Sequence, residues 1–492
     1  MRAIGIIIPV GIAVIGIVLT LFTTADFVSS LQPELIVSLA LGALVAVFLA
    51  VQPIILLWFT TIITLVVAGS ARYFIPKLGH LWWLAYGSAF LLFMPPLVHS
   101  LRGRAIGTAA KSPLLKLSAI GFAFVAAVST ALAVPPVGQL VVTTKSMLMF
   151  GGVWALFAMM PMTERNVQRW LAGMLGIGLI QWIPVLYQFF VIRRHRIETT
   201  GFHVESADAV VGTFGGNPDS GGLTAILAFF IIANIVVLFS FRKERMVSLP
   251  KSLVIAAILM VPLPMMEVKV FFVYMPVAFA TLYWRELIHK PLILVAWVIL
   301  VGGAMGGMLY VYQQIHWSAL GTNRMENTKQ SFMYSFTTKS GNGSLTRLGV
   351  LEYWWERHGF KEPVEFLIGH GAGSSRTQGQ VPGVAAVENR LLNIDRTGAS
   401  IVLWDFGLLG AILLMGMMLG LFRLLGRIAH VSTSEPWVKA LAGGLRAVVP
   451  MFFLSMFYRN DIPYAAPLMF LFMATLGLTS WLGRQSLEKN SG

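Results

Sequence analysis

The chain has 492 residues, is 57% hydrophobic and 12% charged, and carries a formal net charge of +15. Several apolar stretches approach the roughly 20 residues needed to cross a bilayer, which excludes an ordinary soluble protein. There are no cysteines, so disulfides are excluded in any compartment.

Backbone in lipid must satisfy its own hydrogen bonds, so these Gly-, Ala-, Leu- and Met-containing runs are expected as helices and the fold class is all-α. Taken in chain order they fall near 4–24, 34–52, 53–70, 80–100, 115–134, 138–162, 168–192, 221–241, 250–266, 267–284, 290–314, 398–422, 440–457 and 461–482, about fourteen spans. The first follows a single Arg2 and has no small-residue cleavage signature, so it reads as a retained span. Gln52-Pro53 and Pro262-Leu263-Pro264 read either as tight turns or as kinks inside longer helices.

The basic excess lies mainly in short loops, where it reads as a topology signal and headgroup contact rather than as a nucleic-acid footprint. One alternating assignment puts Arg102, Arg104, Lys111, Lys116, Arg165, Arg169, Arg242, Lys243, Arg245, Arg285, Lys290, Arg423, Arg427, Arg484 and Lys489 on a single side. By the positive-inside rule that side is the cytoplasm, both termini lie there, and the chain is expected in an inner membrane. Four regions follow: N-terminal spans over 1–192, central spans over 193–314, a large outer loop over 315–397 and C-terminal spans over 398–492.

The exception to the charge rule is Arg193-Arg194-His195-Arg196 at the outer end of a span. It reads either as contact with headgroup phosphates or as a site for an anionic substrate. The glycine-rich stretch 211–222 follows, and reads either as an anion cradle of backbone amides or as a helix entry capped by Asp219 or Ser220. Glu267 and Lys269 begin a span near the same interface; being two residues apart they cannot form a helical i,i+4 pair. Lys269 either snorkels or holds a phosphate.

In the large loop, 346–357 has helical periodicity and two tryptophans, so an amphipathic helix along the membrane surface is expected. Then come Phe366-Leu-Ile-Gly-His-Gly-Ala-Gly-Ser-Ser-Arg376, with His370, and the stretch 388–397 with Glu388, Arg390, Asp395 and Arg396. Arg459 and Asp461 in the last outer loop form either a topological pair or part of the same site. No metal-ligand spacing, P-loop or nucleophile elbow is present, so a reaction here needs a substrate that arrives already activated.

These residues resemble the superfamily of bacterial O-antigen ligases and O-antigen polymerases, over roughly Gly212 to Gly410. The resemblance rests on Gly-Thr-Phe-Gly-Gly-Asn-Pro-Asp at 212–219, Glu267-Val-Lys-Val, Arg347 with Tyr353-Trp354, Leu367-Ile-Gly-His-Gly-Ala-Gly373 and Phe406-Gly-Leu-Leu-Gly410. It implies a bundle whose periplasmic loop covers a cavity, and a polyprenyl-diphosphate-linked glycan used without metal or other cofactor. It implies a flippase and a chain-length co-polymerase as partners, besides membrane lipid, and no nucleic acid.

By the same resemblance Arg193, Arg194, Arg196, Lys269 and Arg347 would bind the diphosphate, with Glu267, Arg376, Arg390, Arg396 and Arg459 around the substrate. Lys269 stands where many members have arginine, which departs from bidentate phosphate binding. The ligases usually carry a His-Asn-like pair where this chain has Ile394-Asp-Arg-Thr-Gly398, which favours a polymerase over a ligase. His370, Glu388 and Asp395 are the candidates for the catalytic base. The competing expectations are a lipid-linked glycan transporter, which predicts charged residues facing a central path from both sides, and a non-catalytic assembly subunit.

Overall fold

The computed structural model describes residues 52–101, 112–195, 210–215, 223–266, 268–317, 345–359, 361–377, 381–389, 392–430 and 435–488. Among them the fold is all-helical, and nine helices are long and apolar enough to cross a membrane. Those nine are Pro53–Phe74 (α1), Pro76–Leu101 (α2), Pro113–Ala133 (α3), Val137–Met159 (α4), Glu164–Arg193 (α5), Thr224–Lys243 (α6) and three more toward the C-terminus. The expected spans near 250–284 are shorter apolar helices, Leu249–Met265 (α7) and Phe271–Leu282 (α8), followed by Trp284–His289 (α9) and Pro291–Trp317 (α10). The spans expected near 4–24 and 34–52 lie outside the described residues.

Three short helices carry the loop region: Gly349–Arg357 (α11), Pro363–Ile368 (α12) and Val384–Glu388 (α13). The chain then forms the last three long apolar helices, Gly398–His430 (α14), Pro436–Tyr458 (α15) and Ala466–Glu488 (α17), with the short Asp461–Tyr464 (α16) between α15 and α17. Local chemistry sets many of the starts. Ser112 caps α3 by accepting from the Leu115 amide at 3.4 Å, Thr163 caps α5, and Pro53, Pro113, Pro363 and Pro436 occupy first-turn positions where an N–H would have no partner.

Helix α14 packs on α3 and α15, α15 packs on α6 and α8, and α17 packs on α4. Several polar side chains inside the bundle are satisfied there: the Trp170 indole donates across helices to the Thr61 hydroxyl at 3.0 Å, and Thr475 donates to the Leu471 carbonyl one turn earlier. Arg484, 6% exposed, donates to the carbonyls of Phe157, Ala158 and Met160 at the end of α4, a cation placed at a helix C-terminus.

Two expectations are corrected. The Val211–Thr213 amides do not form an open anion cradle, because Gln188 Oε1 accepts from Val211 and Gly212 at 2.9 and 2.7 Å, and Gln181 Oε1 accepts from Thr213 at 2.9 Å. Buried amides require acceptors, and two glutamines one heptad apart on α5 supply them; residues 216–222 lie outside the described part. The helix expected to float on the membrane surface is α11, but Trp354 on it is 3% exposed and stacks on Phe366 at 5.1 Å, inside a small core with Val350, Ile394 and Trp404. Trp355, 53% exposed, faces outward with Glu352, Glu356 and Arg357.

Candidate functional site

The site is built around a break in α14. Gly407 has φ +65°, and a Cβ there would run into the backbone of Leu367 and Ile368. The break frees the carbonyls before it: the His370 amide donates to Trp404 O at 2.8 Å and the Gly371 amide to Asp405 O at 3.0 Å. A glycine-rich turn is thereby docked into the helix, with Gly369, Gly371 and Gly373 all at positive φ.

Asp405 organises this turn. Its buried carboxylate accepts from the Gly373 amide at 2.8 Å, the Ser375 amide at 2.9 Å and the Ser374 hydroxyl at 3.1 Å. The far side is clamped to α3 and α4: Ser129 accepts from the Gly371 amide at 2.9 Å, and Gln139 donates to Ala372 O at 2.9 Å. Sequence reasoning missed Asp405, although it is the only acidic residue in a 33-residue apolar helix, itself a signal of function.

Two histidines stand at the head of the turn. His358 Nδ1 faces the Trp354 carbonyl at 3.1 Å, so it donates there, and its Nε2 accepts from His370 Nε2–H at 2.7 Å. His370 stacks on Trp404 with ring centroids 5.7 Å apart. Burial lowers both imidazoles from their ordinary 6.5; for His370 the carboxylates of Glu365, Glu388 and Glu362 oppose this, and for His358 the neighbouring His370 adds to it. The pair is therefore neutral near pH 7, with the base-competent nitrogen of His370 being Nδ1. His358 was not singled out from sequence, because the pairing crosses α12 and leaves no periodic trace.

At the tail of the turn Arg376 lies over the Tyr464 ring at 5.5 Å, and Thr377 donates through its amide, at 2.9 Å, and its hydroxyl to the two oxygens of Asp395. Burial raises Asp395, opposed by Thr377 and by Arg376. Arg376 also acts electrostatically on Lys145 of α4, which sits over the rings of Trp83 at 4.2 Å and Tyr86 at 5.0 Å. Lys145, a cation in an expected apolar span, was a second missed signal.

At the start of α16, Arg347 lies over the Tyr458 ring at 4.3 Å, and Arg459 Nε stands 3.6 Å from Asp461. Burial raises Asp461, while Arg459 and Arg347 both pull it down. Tyr274 of α8 stands in the field of Asp461, Tyr458 and Arg459, which places α8 against this group.

Of the expected site residues, the fold thus gathers Arg347, Arg459, Arg376, Asp395 and Asp461 around α16, with His370 on the adjoining turn. Glu388 is exposed at the end of α13 and acts on His370. Arg193 and Arg194 belong to the end of α5, where Arg193 lies over the Phe189 ring at 4.8 Å, and the contacts just described do not include them. Lys269 is half-buried two residues before α8, and Arg396 stands in the turn that enters α14. Arg196, Glu267 and Arg390 lie outside the described residues.

The arrangement offers guanidinium groups oriented by aromatic faces, and a neutral imidazole on the same turn as one of them. Among the described residues no cluster of side chains suits a metal ion. No family model matches this chain, and no curated protein matches it.

Proposed function

We propose that the chain is a membrane glycosyltransferase that polymerises polyprenyl-diphosphate-linked oligosaccharides on the outer side of a bacterial inner membrane. The observation that carries the reading is the convergence of Arg347, Arg459 and Arg376 around α16, two of them on tyrosine faces, with the His358–His370 pair at the head of the turn that carries Arg376. A diphosphate leaving group needs bidentate cations; the acceptor needs a base and a floor for a sugar ring.

In the proposed step a sugar hydroxyl oxygen of one glycan forms a bond to the anomeric carbon of another. The anomeric C–O bond to phosphate breaks, polyprenyl diphosphate leaves with the electron pair, and the hydroxyl proton passes to His370 Nδ1. His370 fits the base better than Asp395, both of whose oxygens accept from Thr377, or the exposed Glu388. Arg347 and Arg376 stabilise charge that grows only in the transition state, where preorganised donors act most strongly. An apolar groove of about 910 Å³, lined by Phe93, Ile120, Thr144, Trp154, Met417 and Met473, suits the polyprenyl chain.

The pH profile follows from the lowered imidazoles. A neutral base stays neutral below its ordinary 6.5, so the acid limb of polymer formation is expected with its midpoint below pH 6.5. Stability shifts the same way: unfolded imidazoles take up protons first as pH falls, so the fold weakens from about pH 6.5 downward. A limb centred above pH 6.5 contradicts His370 as base.

The test of the reading is purified protein with polyprenyl-diphosphate oligosaccharide as sole substrate. A ladder of lengthening glycans supports a polymerase; product only on adding a lipid or protein acceptor supports a ligase. The alternative from another class, a lipid-linked glycan transporter, is favoured by a second cationic cavity at the opposite end of the bundle, lined by Arg285, Arg423, Arg427 and Arg446. Translocation of intact substrate without any new glycosidic bond supports that alternative.

A further inference from the structure

The second cavity, about 610 Å³, lies between α9, α14 and α15 and is lined by Trp284, Arg285, Phe422, Arg423, Gly426, Arg427, His430 and Arg446. Its lining holds four arginines and a histidine and no carboxylate. The acid near it, Glu286, forms an ion pair with Lys243 at 2.8 Å. Counted along the unbroken part of α14 from Leu408 to Arg427, the cavity is about 28 Å from the break at which the site described above is built, at 1.5 Å per residue.

Basic loops alone are explained by topology, but Arg446 is not in a loop. It stands ten residues into α15 from Pro436, about 15 Å along the helix, where a cation is costly unless paired or used. Its guanidinium lies over the Phe422 ring at 4.4 Å, and its Nε is buried with no hydrogen-bond acceptor among the described residues. Gly426 makes the room: a Cβ there would stand 3.2 Å from that Nε. Arg285 acts electrostatically on Arg446, so two like charges are held together without a carboxylate between them. Like charges held this way lower their mutual energy by sharing an anion.

We propose that this cavity is a phosphate-binding site, taking a phosphomonoester whose oxygens bridge Arg446 at the floor and Arg285, Arg423 and Arg427 at the mouth. The ligand chemistry is that of an inner-leaflet headgroup or of free phosphate. The site is independent of the glycosyl-transfer reading, because none of its residues touches the opposite end of the bundle.

The experiment uses the full chain in detergent, native mass spectrometry, and three probes: dihexanoyl phosphatidic acid, inorganic phosphate and dihexanoyl phosphatidylcholine. Phosphatidic acid is expected to bind at least tenfold more tightly than phosphatidylcholine. Arg427→Gln and Arg446→Gln are each expected to weaken it about tenfold or more, the factor that a hydrogen bond to a charged group is worth. Arg446→Lys should recover part of the loss. Competition by inorganic phosphate identifies the ion itself as sufficient; binding of phosphatidic acid that phosphate does not displace identifies a lipid headgroup. Equal binding of the two lipids, or unchanged affinity in Arg427→Gln, whose exposed position spares the fold, overturns the proposal.

Discussion

Arg347→Ala and Arg376→Ala are each expected to lower polymer formation by about 10²–10³-fold, the effect of removing one preorganised charge-stabilising donor, while the protein remains in the membrane in normal amount. Each guanidinium is oriented by a ring, Tyr458 at 4.3 Å and Tyr464 at 5.5 Å, the last residues of α15 and of α16. Truncation therefore removes a cation from the site and leaves the helices in place. Lysine at either position restores charge but not the planar fork, so the Lys variants should recover only part of the rate. In vitro turnover with lipid-linked substrate is the readout, with KM and kcat separated. Normal polymer from both Ala variants sinks the site assignment; a loss confined to KM means that the arginines bind the ground state and transition state alike.

The second large effect is at Asp405. Asp405→Ala leaves the Gly373 amide, the Ser375 amide and the Ser374 hydroxyl without their acceptor in a buried place. Each unsatisfied buried donor costs about 1–3 kcal/mol, so the glycine-rich turn is expected to detach from α14 and activity to vanish. Asp405→Asn keeps one acceptor oxygen and turns an amide group toward the other donors, so it should fall between. The check is limited proteolysis across residues 361–389 together with thermal unfolding in detergent. Protection and melting equal to the parent in Asp405→Ala would mean that the turn is held by Ser129 and Gln139 alone.

The helices were legible because lipid imposes a single rule on every apolar run. The expected span near 115–134 is α3 at 113–133, and that near 440–457 is α15 at 436–458. Around 250–284 the rule gave spans where the chain forms only the shorter α7 and α8, since Pro262 and Pro264 interrupt the run with a 3₁₀ turn at Leu263–Met265. Nine clear candidates thus stand among the described residues, with α7 and α8 shorter, α10 a helix of 27 residues over the expected 290–314, and the two expected spans before residue 52 outside the described part.

The site was legible only in its parts. His370, Arg376, Arg347 and Asp461 are visible as polar residues between apolar runs, but the seating of the glycine-rich turn beside α16 depends on the break at Gly407, and a glycine inside an apolar helix is usually silent. Gln181 and Gln188 show the converse. The stretch Val211–Thr213 looked like a ligand cradle because its amides had no partner in the local sequence, and their acceptors come from a helix more than twenty residues earlier. Backbone satisfaction is a three-dimensional account, and composition near the amide does not settle it. The cationic cavity around Arg446 was hidden for a related reason: its charges come from three segments, and all of them but Arg446 are explicable alone by topology.

The central claim is tested most directly by following phosphorus. Purified protein in nanodiscs, given only a polyprenyl-diphosphate-linked oligosaccharide and a chelator, is examined by ³¹P NMR for free polyprenyl diphosphate and by gel for glycan length. The account predicts one polyprenyl diphosphate released for each glycosidic bond formed, lost together in Arg376→Ala. Substrate whose diphosphate ester stays intact, with no lengthened glycan, would contradict it.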